Sequence, residues 1–131
     1  MALYLIPNGA AGTTAAPVAV TTGTVIKTML QVASGTTKPL KIVEWGISFD
    51  GSAAATPGKV ELMESDVAAT VTAHVTAGIV KLDGEALAGG DPVTNLIPVS
   101  TALTGYTASA EGTTTVARLF DLQFIAQTNQ Y

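Results

Sequence analysis

The strongest constraint on the fold of this chain is the alternation of apolar and polar side chains in residues 40–50, LKIVEWGISFD. Successive side chains of a β-strand point to opposite faces, so one face of the predicted strand is apolar. That face consists of Val43, Trp45, Ile47 and Phe49. An indole on such a face is a large block of buried apolar area. The alternation therefore predicts a core strand with Trp45 near its centre.

The residues after this strand predict a hairpin with a long loop. The stretch GSAAATPG begins and ends with glycine and contains a proline, and these residues are turn signals. Alternation resumes in KVELMES, where Val60 and Leu62 face inward. We therefore expect residues 40–50 and 59–65 to form a core hairpin.

Another strong strand is predicted in TTTVARLFDLQFIAQT near the C-terminus. Its aromatic face is predicted to be buried, with Arg118 at the rim, where its stem packs and its head reaches water. The opposite face carries Leu119, Asp121, Gln123 and Ile125. Together the strong strands predict a core made of Val43, Trp45, Ile47, Phe49, Val60, Leu62, Phe120, Leu122 and Phe124.

Weaker alternation marks further short strands. They lie at residues 24–33, 68–76, 78–83 and 99–109, and a long loop is predicted at 84–98. Short alternating strands separated by Gly and Pro are typical of sandwiches and barrels, and helical periodicity is nearly absent. The sequence therefore predicts an all-β fold, namely an antiparallel β-sandwich of the jelly-roll or immunoglobulin type.

The N-terminus predicts a short extended arm. An apolar head, ALYLI, is followed by the small-residue spacer PNGAAGTTAA, so we assign residues 1–16 to an arm and 17–131 to a single β-sandwich domain. The apolar head has two possible positions. It folds back as an edge strand of its own chain, or it lies across another subunit.

The composition favours a surface that is partly covered. Charged residues make up only 12% of the chain and hydrophobic ones 47%, with a mean hydropathy of +0.42, whereas about a quarter of a typical domain is charged. Such a surface is poorly solvated, which favours burial by copies of the chain or by a partner. The alternative is a surface that threonine hydroxyls keep soluble.

Charge and hydropathy also argue against two classes of partner. The net charge is −4 and the six basic residues are scattered, whereas binding to nucleic acid depends on clustered Lys and Arg. The apolar run at the N-terminus breaks at Pro7 and has no preceding positive charge, so neither an export signal nor a membrane span is expected. We expect a soluble protein made in the cytoplasm.

The sequence contains little catalytic chemistry. His74 is the only imidazole, and a single histidine on a threonine-rich strand is more typical of a surface or core-edge residue than of a catalytic base. Glu61 and Glu64 would face opposite sides of one strand, and together with Asp66 they are more typical of a solvated hairpin edge than of paired catalytic carboxylates.

Metal chemistry is equally poorly supported. The chain has no cysteine, which excludes thiolate zinc sites and disulfides. Asp83, Glu85 and Asp91 lack the regular acidic spacing of a calcium-binding loop. We therefore predict a non-enzymatic protein with no catalytic, cofactor-binding or metal-ligating residues.

Three segments carry a resemblance to a known family. LKIVEWGISFDGSAAATPGKVEL, the N-terminal MALYLIPNG and the closing RLFDLQFIAQTNQY resemble small structural proteins of tailed-bacteriophage virions, in particular the capsid decoration, or cement, proteins. The resemblance is strongest over residues 39–62. It implies a protein, often a homotrimer, that binds the outer surface of the assembled capsid and bridges subunits of the major capsid protein. Its location would be the virion, after synthesis in the host cytoplasm.

The resemblance also implies residues that contact the partner. An arm that adds a strand to a neighbour gains affinity from main-chain hydrogen bonds and side-chain pockets, and many weak contacts on one lattice add avidity. The residues to which we assign partner contact are Leu3, Tyr4, Leu5, Ile6 and Tyr131.

Two other functions stay open from the sequence. One is a different virion part, such as a tail-tube, head-fibre or adsorption component, and a tail-tube subunit would form rings by itself. The other is a carbohydrate-binding β-sandwich, which would need exposed aromatic side chains. Tyr106 and Tyr131 are the candidates for that role.

Overall fold

A computed structural model describes the chain in several segments. These are residues 3–9, 20, 25–35, 39–49, 58–82, 97 and 103–125. Within them, every regular element other than one short 3₁₀ turn is a β-strand, and every strand pair is antiparallel. The all-β prediction is therefore confirmed, and the antiparallel sheets are consistent with a β-sandwich.

The described segments contain seven strands and one 3₁₀ turn. They are β1 (Tyr4–Leu5), β2 (Leu30–Gln31), β3 (Gly58–Ser65), β4 (Thr70–Ala73), the 3₁₀ turn (Thr76–Gly78), β5 (Val80–Lys81), β6 (Gly105–Ala110) and β7 (Ala117–Ile125). No helix in these segments has the length and apolar character required to cross a membrane.

The chain divides into two compact units, each made of two chain segments. Unit 1 comprises Met1–Lys41 and Ala68–Gly112, and unit 2 comprises Ile42–Val67 and Thr113–Tyr131. Strands β3 and β7 belong to unit 2, and the other described strands belong to unit 1. The predicted boundary between arm and domain, after residue 16, lies outside the described residues.

Unit 1 contains a three-stranded sheet in the order β2-β6-β4 and the pair β1-β5. Strand β6 is central, and Gly105 at its start pairs with both Gln31 and Ala73. A side chain there is impossible, because an added Cβ would lie 2.2 Å from the backbone oxygen of Thr72. Glycine at position 105 therefore permits the close approach of β4 and β6.

Small side chains form one part of the core of unit 1. Ala69, Val71 and Ala108 are buried against one another. The side-chain amide of Gln31 reaches the same region, since its Oε1 accepts a hydrogen bond from the Ala69 N–H (2.8 Å). The hydroxyl of the fully buried Thr104 accepts a hydrogen bond from the Ala33 N–H (3.1 Å), so this buried polar group is satisfied.

The N-terminal segment folds back onto its own chain. Strand β1 pairs with β5, with Tyr4 opposite Lys81. Tyr4 and Ile6 pack against the buried pair Ile79 and Ile97. Of the two positions that the sequence left open for the apolar head, the structure shows the edge strand within the chain.

The weaker strand predictions are largely confirmed in unit 1. Strands β4, β5 and β6 fall within or overlap the predicted strands. The prediction for residues 24–33 is wrong in extent, because among its described residues, 25–33, only Leu30–Gln31 is a strand. Thr107, with a φ of 52°, departs from β geometry in the neighbouring strand β6 and interrupts the regular ladder beyond Tyr106. Most of the predicted loop at 84–98 lies outside the described residues.

Unit 2 corrects the predicted hairpin. Strand β3 exists as predicted, but its partner is β7, with which it pairs from Gly58 opposite Ile125 to Ser65 opposite Ala117. Residues 40–49 are described and form no strand. Alternation reports the side to which each residue points and does not identify its hydrogen-bonding partner, which explains the error.

The predicted core also requires correction. Val43 (66% exposed), Phe120, Leu122 and Phe124 are exposed, so their predicted burial is wrong. The remaining members are half-buried: Trp45, Ile47, Phe49, Val60 and Leu62. A two-stranded ribbon has too few neighbours to bury both of its faces, so apolar side chains on its outer face stay exposed. The fully buried described residues all lie in unit 1.

Candidate interaction surface

The β3-β7 ribbon contains one irregularity that determines which side chains it presents. Leu62 pairs with Asp121, whereas the next residue, Met63, pairs with Leu119. Phe120 is therefore an extra residue on β7, as in a β-bulge. The bulge shifts the alternation of β7, so Leu119 lies opposite Met63.

The outer side of the ribbon is an exposed apolar surface. Residues directly opposite each other in an antiparallel pair share a face, which places four apolar side chains on one side of the ribbon. We call this surface the ribbon face, and it consists of Met63 (46% exposed), Leu119 (51%), Leu122 (36%) and Phe124 (68%). The bulge residue Phe120 is also exposed (57%). Adjoining exposed apolar side chains of this kind are typical of interaction sites.

Charged residues lie on both sides of the ribbon, in pairs. Lys59 and Glu61 share the side of the ribbon face, opposite Phe124 and Leu122, whereas Glu64 and Arg118 share the other side. Lys59 Nζ lies 2.7 Å from Glu61 Oε1, and Arg118 Nη1 lies 3.5 Å from Glu64 Oε2. Both pairs are largely exposed, so they contribute little to folding stability. Their effect on the surface is to balance its charge, so the ribbon carries no strong field of either sign.

The opposite side of the ribbon faces inward. Val60 and Leu62 are half-buried there, as is Asp121 on β7. The Asp121 carboxylate accepts hydrogen bonds from the Leu122 N–H (2.8 Å) and from Gln123 Nε2 (3.0 Å). These bonds satisfy the charge of Asp121 locally, so an acidic side chain is accommodated next to apolar ones.

Asp66 closes one end of the ribbon. Its carboxylate accepts hydrogen bonds from the backbone N–H groups of Thr115 (3.1 Å) and Val116 (3.0 Å) and from the Thr115 hydroxyl. Its own N–H donates to the Val116 carbonyl (3.2 Å). The Thr115 hydroxyl, followed by the Val116 N–H, holds the pKa of Asp66 below its ordinary value of 3.8, because these bonds favour the charged form. The carboxylate thus links the segment before β7 to the end of β3.

An open cleft of about 280 Å³ lies beside this link. It is lined by Glu64, Ser65, Asp66, Val116, Ala117 and Arg118. Its ionisable groups are already engaged, since Glu64 pairs with Arg118 and Asp66 is held by three hydrogen bonds. A general acid or base needs a proton-transfer site that faces a substrate, so we interpret the cleft as part of the fold.

His74 is a core residue in unit 1. Its side chain is 1% exposed, so the expectation of a surface or core-edge position is wrong. Its Nε2 lies 2.9 Å from the Pro7 carbonyl oxygen, and its ring packs against Tyr106 with 4.9 Å between centroids. Burial lowers the pKa of His74, while the hydrogen bond to Pro7 raises it by a smaller amount. The imidazole is therefore a buried side chain that donates a hydrogen bond from Nε2 to the Pro7 carbonyl oxygen.

The structure separates the arm residues that were predicted to contact a partner. Tyr4 and Ile6 pack within their own chain. Leu3 (45% exposed) and Leu5 (52% exposed) are accessible, and their contact with a partner stays a prediction. Tyr131 lies outside the described residues.

Sequence reasoning missed two members of the ribbon face. Alternation places Leu119 on the polar face of its strand and leaves Met63 unassigned. Strict alternation assigns Leu119 to the same side as Asp121, and only the bulge at Phe120 moves it to the side of Leu122. A bulge of this type has no clear signal in the residues themselves, because it is set by pairing with β3.

Within the described residues, no group of three or more His, Cys, Asp or Glu side chains is arranged to hold a metal ion. The chain matches no protein-family model, no curated protein and no solved structure. The geometry of the ribbon face and the sequence resemblance are therefore the basis for a functional proposal.

Proposed function

We propose that this chain is a non-enzymatic structural protein of a phage virion that binds the outer surface of the assembled capsid and bridges subunits of the major capsid protein. The observation that carries this proposal is the exposed ribbon face. The resemblance of the sequence to capsid decoration proteins supplies the class of partner.

The composition of the ribbon face suits binding to another protein. Aromatic residues and Met are enriched at the centres of protein interfaces, and charged residues are depleted there. Met63 and Phe124 are residues of this kind, with two apolar leucines beside them. The Lys59–Glu61 ion pair lies on the same side, opposite Phe124 and Leu122, and would supply the polar part of the contact.

The backbone of the ribbon supports the same role. Eight residue pairs join β3 and β7, from Gly58 opposite Ile125 to Ser65 opposite Ala117. Asp66 adds hydrogen bonds at one end. A surface held by a paired ladder on both sides of the bulge needs little ordering when it binds, so less of the interaction free energy is lost.

The ionisable side chains of the described segments support a non-catalytic role. His74 is buried and bonded to Pro7. Glu64 is paired with Arg118, and the Asp66 carboxylate holds backbone N–H groups. Each of these groups has a partner within the fold.

We also propose that copies of the chain associate on the capsid as a homotrimer. The low content of charged residues, 12%, supports burial of part of the surface. Many copies on one lattice would combine weak contacts into stable attachment.

Co-sedimentation with capsids that lack the protein tests the proposal, alongside sizing chromatography of the protein alone. We expect saturable binding to capsids and a monomer or trimer in solution. Failure to bind, with rings or polymers formed by the protein alone, would contradict the proposal and favour a tail component.

A further inference from the structure

An Asn-Gly pair, Asn8–Gly9, follows strand β1 at the end of the described N-terminal segment. Asn8 is exposed, and Gly9 has a φ of 140°, a conformation that side chains rarely adopt. A Cβ built on Gly9 would meet nothing within 4 Å. The space into which a side chain at position 9 would project is therefore open, and glycine adds no bulk of its own next to Asn8.

A strained residue reaches the Asn8 side chain. Thr107 has a φ of 52°, and it is the only non-glycine residue with a positive φ in the described segments. Such a φ is a clear outlier for a β-branched residue. The Thr107 N–H is fixed by the Met29 carbonyl (2.9 Å), and the Thr107 hydroxyl donates a long hydrogen bond to Asn8 Oδ1 (3.5 Å).

We propose that Asn8–Gly9 is a self-modification site, where the Gly9 backbone nitrogen attacks the Asn8 side-chain carbonyl carbon while the Thr107 hydroxyl donates to the carbonyl oxygen. A donor at that oxygen stabilises the negative charge that develops as the tetrahedral intermediate forms. Asparagine is among the residues prone to chemical change, and a following glycine places the least bulk around the attacking nitrogen.

The reaction needs only water. Hydroxide removes the proton from the Gly9 nitrogen, the nitrogen bonds to Asn8 Cγ, and the bond from Cγ to Nδ2 breaks as ammonia leaves with a proton from water. The product is a cyclic succinimide. Water then opens the ring at either carbonyl and leaves aspartate or isoaspartate at position 8. One water is consumed and one ammonia released, with no oxidant or reductant.

A modified residue at position 8 would change the local structure, because Asn8 directly follows an anchored residue. The preceding residue, Pro7, is anchored by His74 through its carbonyl oxygen (2.9 Å). Ring opening to isoaspartate adds a methylene to the main chain directly after this anchor and adds one negative charge. Modification would therefore alter the junction between β1 and the rest of the chain in an irreversible, time-dependent way.

Peptide mass spectrometry of the intact protein, aged in mildly alkaline buffer, tests the proposal. Asn95 and Asn129 are internal controls, because Leu96 and Gln130 follow them. We expect ammonia loss and the subsequent amide-to-acid mass change at Asn8 to be at least about tenfold faster than at either control. Equal rates at the three asparagines would overturn the proposed site.

Paired variants test the role of the hydroxyl. Thr107→Ser keeps the donor, and Thr107→Val removes it while matching the branching of threonine at a φ of 52°. We expect the serine variant to retain most of the rate at Asn8 and the valine variant to lose most of it. Equal rates would overturn the part assigned to Thr107. If the valine variant does not fold, ageing of the wild type in denaturant replaces it, and a rate at Asn8 that is undiminished by unfolding overturns the same assignment.

Discussion

His74 Nε2 lies 2.9 Å from the carbonyl oxygen of Pro7, and this bond joins a fully buried imidazole to the end of the N-terminal segment. A carbonyl oxygen only accepts, so Nε2 carries the proton. The strand β1 is short, and the bond therefore adds a specific anchor to a segment that is also held by pairing with β5 and by packing against Ile79 and Ile97.

Burial of His74 predicts a loss of stability in mild acid. Burial lowers the pKa of His74 below its ordinary value of 6.5. The unfolded chain therefore binds the proton first as the pH falls, so the stability contribution is present above about pH 6.5 and is lost as the pH falls through the folded-state pKa. Urea unfolding midpoints should decrease between pH ~7.5 and ~5.

The variant His74→Gln isolates this effect. Glutamine keeps a side-chain donor toward Pro7 but does not titrate. It is expected to be less stable than the wild type at neutral pH and to show a smaller decrease in midpoint on acidification. The same decrease in both proteins would assign the pH dependence to other groups.

Packing around the same imidazole predicts a steric effect at Gly78. A Cβ at this position would lie 2.9 Å from His74 Nδ1, and the ring has little room to move because it packs against Tyr106. We expect Gly78→Ala to reduce the free energy of unfolding by about 1–3 kcal/mol, as measured by chemical denaturation. Gly46→Ala is the matched control, since nothing lies within 4 Å of its added Cβ. Equal effects of the two substitutions would contradict the close packing.

The ribbon face predicts a selective loss of binding. Leu119→Ser and Phe124→Ser replace exposed apolar side chains, so folding stability should change little while affinity for capsids falls about tenfold or more. Co-sedimentation measures the affinity. Ile26→Ser is the control, because Ile26 is 88% exposed and belongs to unit 1. Retention of full affinity in both ribbon variants would contradict binding through this surface.

The Asp66 carboxylate predicts a second dependence on pH. Asp66→Asn removes the negative charge that accepts hydrogen bonds from Thr115 and Val116, so the urea midpoint should decrease at neutral pH. The pKa of Asp66 is lowered from 3.8, so the wild-type advantage is present above about pH 3.8 and fades as the pH falls through the folded-state pKa. Glu44→Gln, an exposed carboxylate of the same unit, should leave the midpoint unchanged. An equal decrease in both variants would show a general effect of charge.

Much of the fold class followed from local patterns in the sequence. Alternation in residues 59–65 and 113–128 predicts the strands β3 and β7, and the same pattern predicts that Trp45, Ile47 and Phe49 point to one side. These properties are local, because the direction of a side chain along an extended backbone depends only on its position in the chain.

Pairing and burial were decided by the tertiary structure. The sequence contains two candidate partners for β3, and only contacts between distant residues selected β7. The bulge at Phe120, which places Leu119 on the ribbon face, follows from that pairing. The buried His74 contacts three remote or neighbouring parts of the chain, namely Pro7, Tyr106 and Gly78. The sequence therefore determined where strands form and the alternation within each regular run, because these depend on neighbours along the chain. Hydrogen bonding and packing between remote segments determined the partner of each strand, the bulge that reorients Leu119, and which side chains are covered.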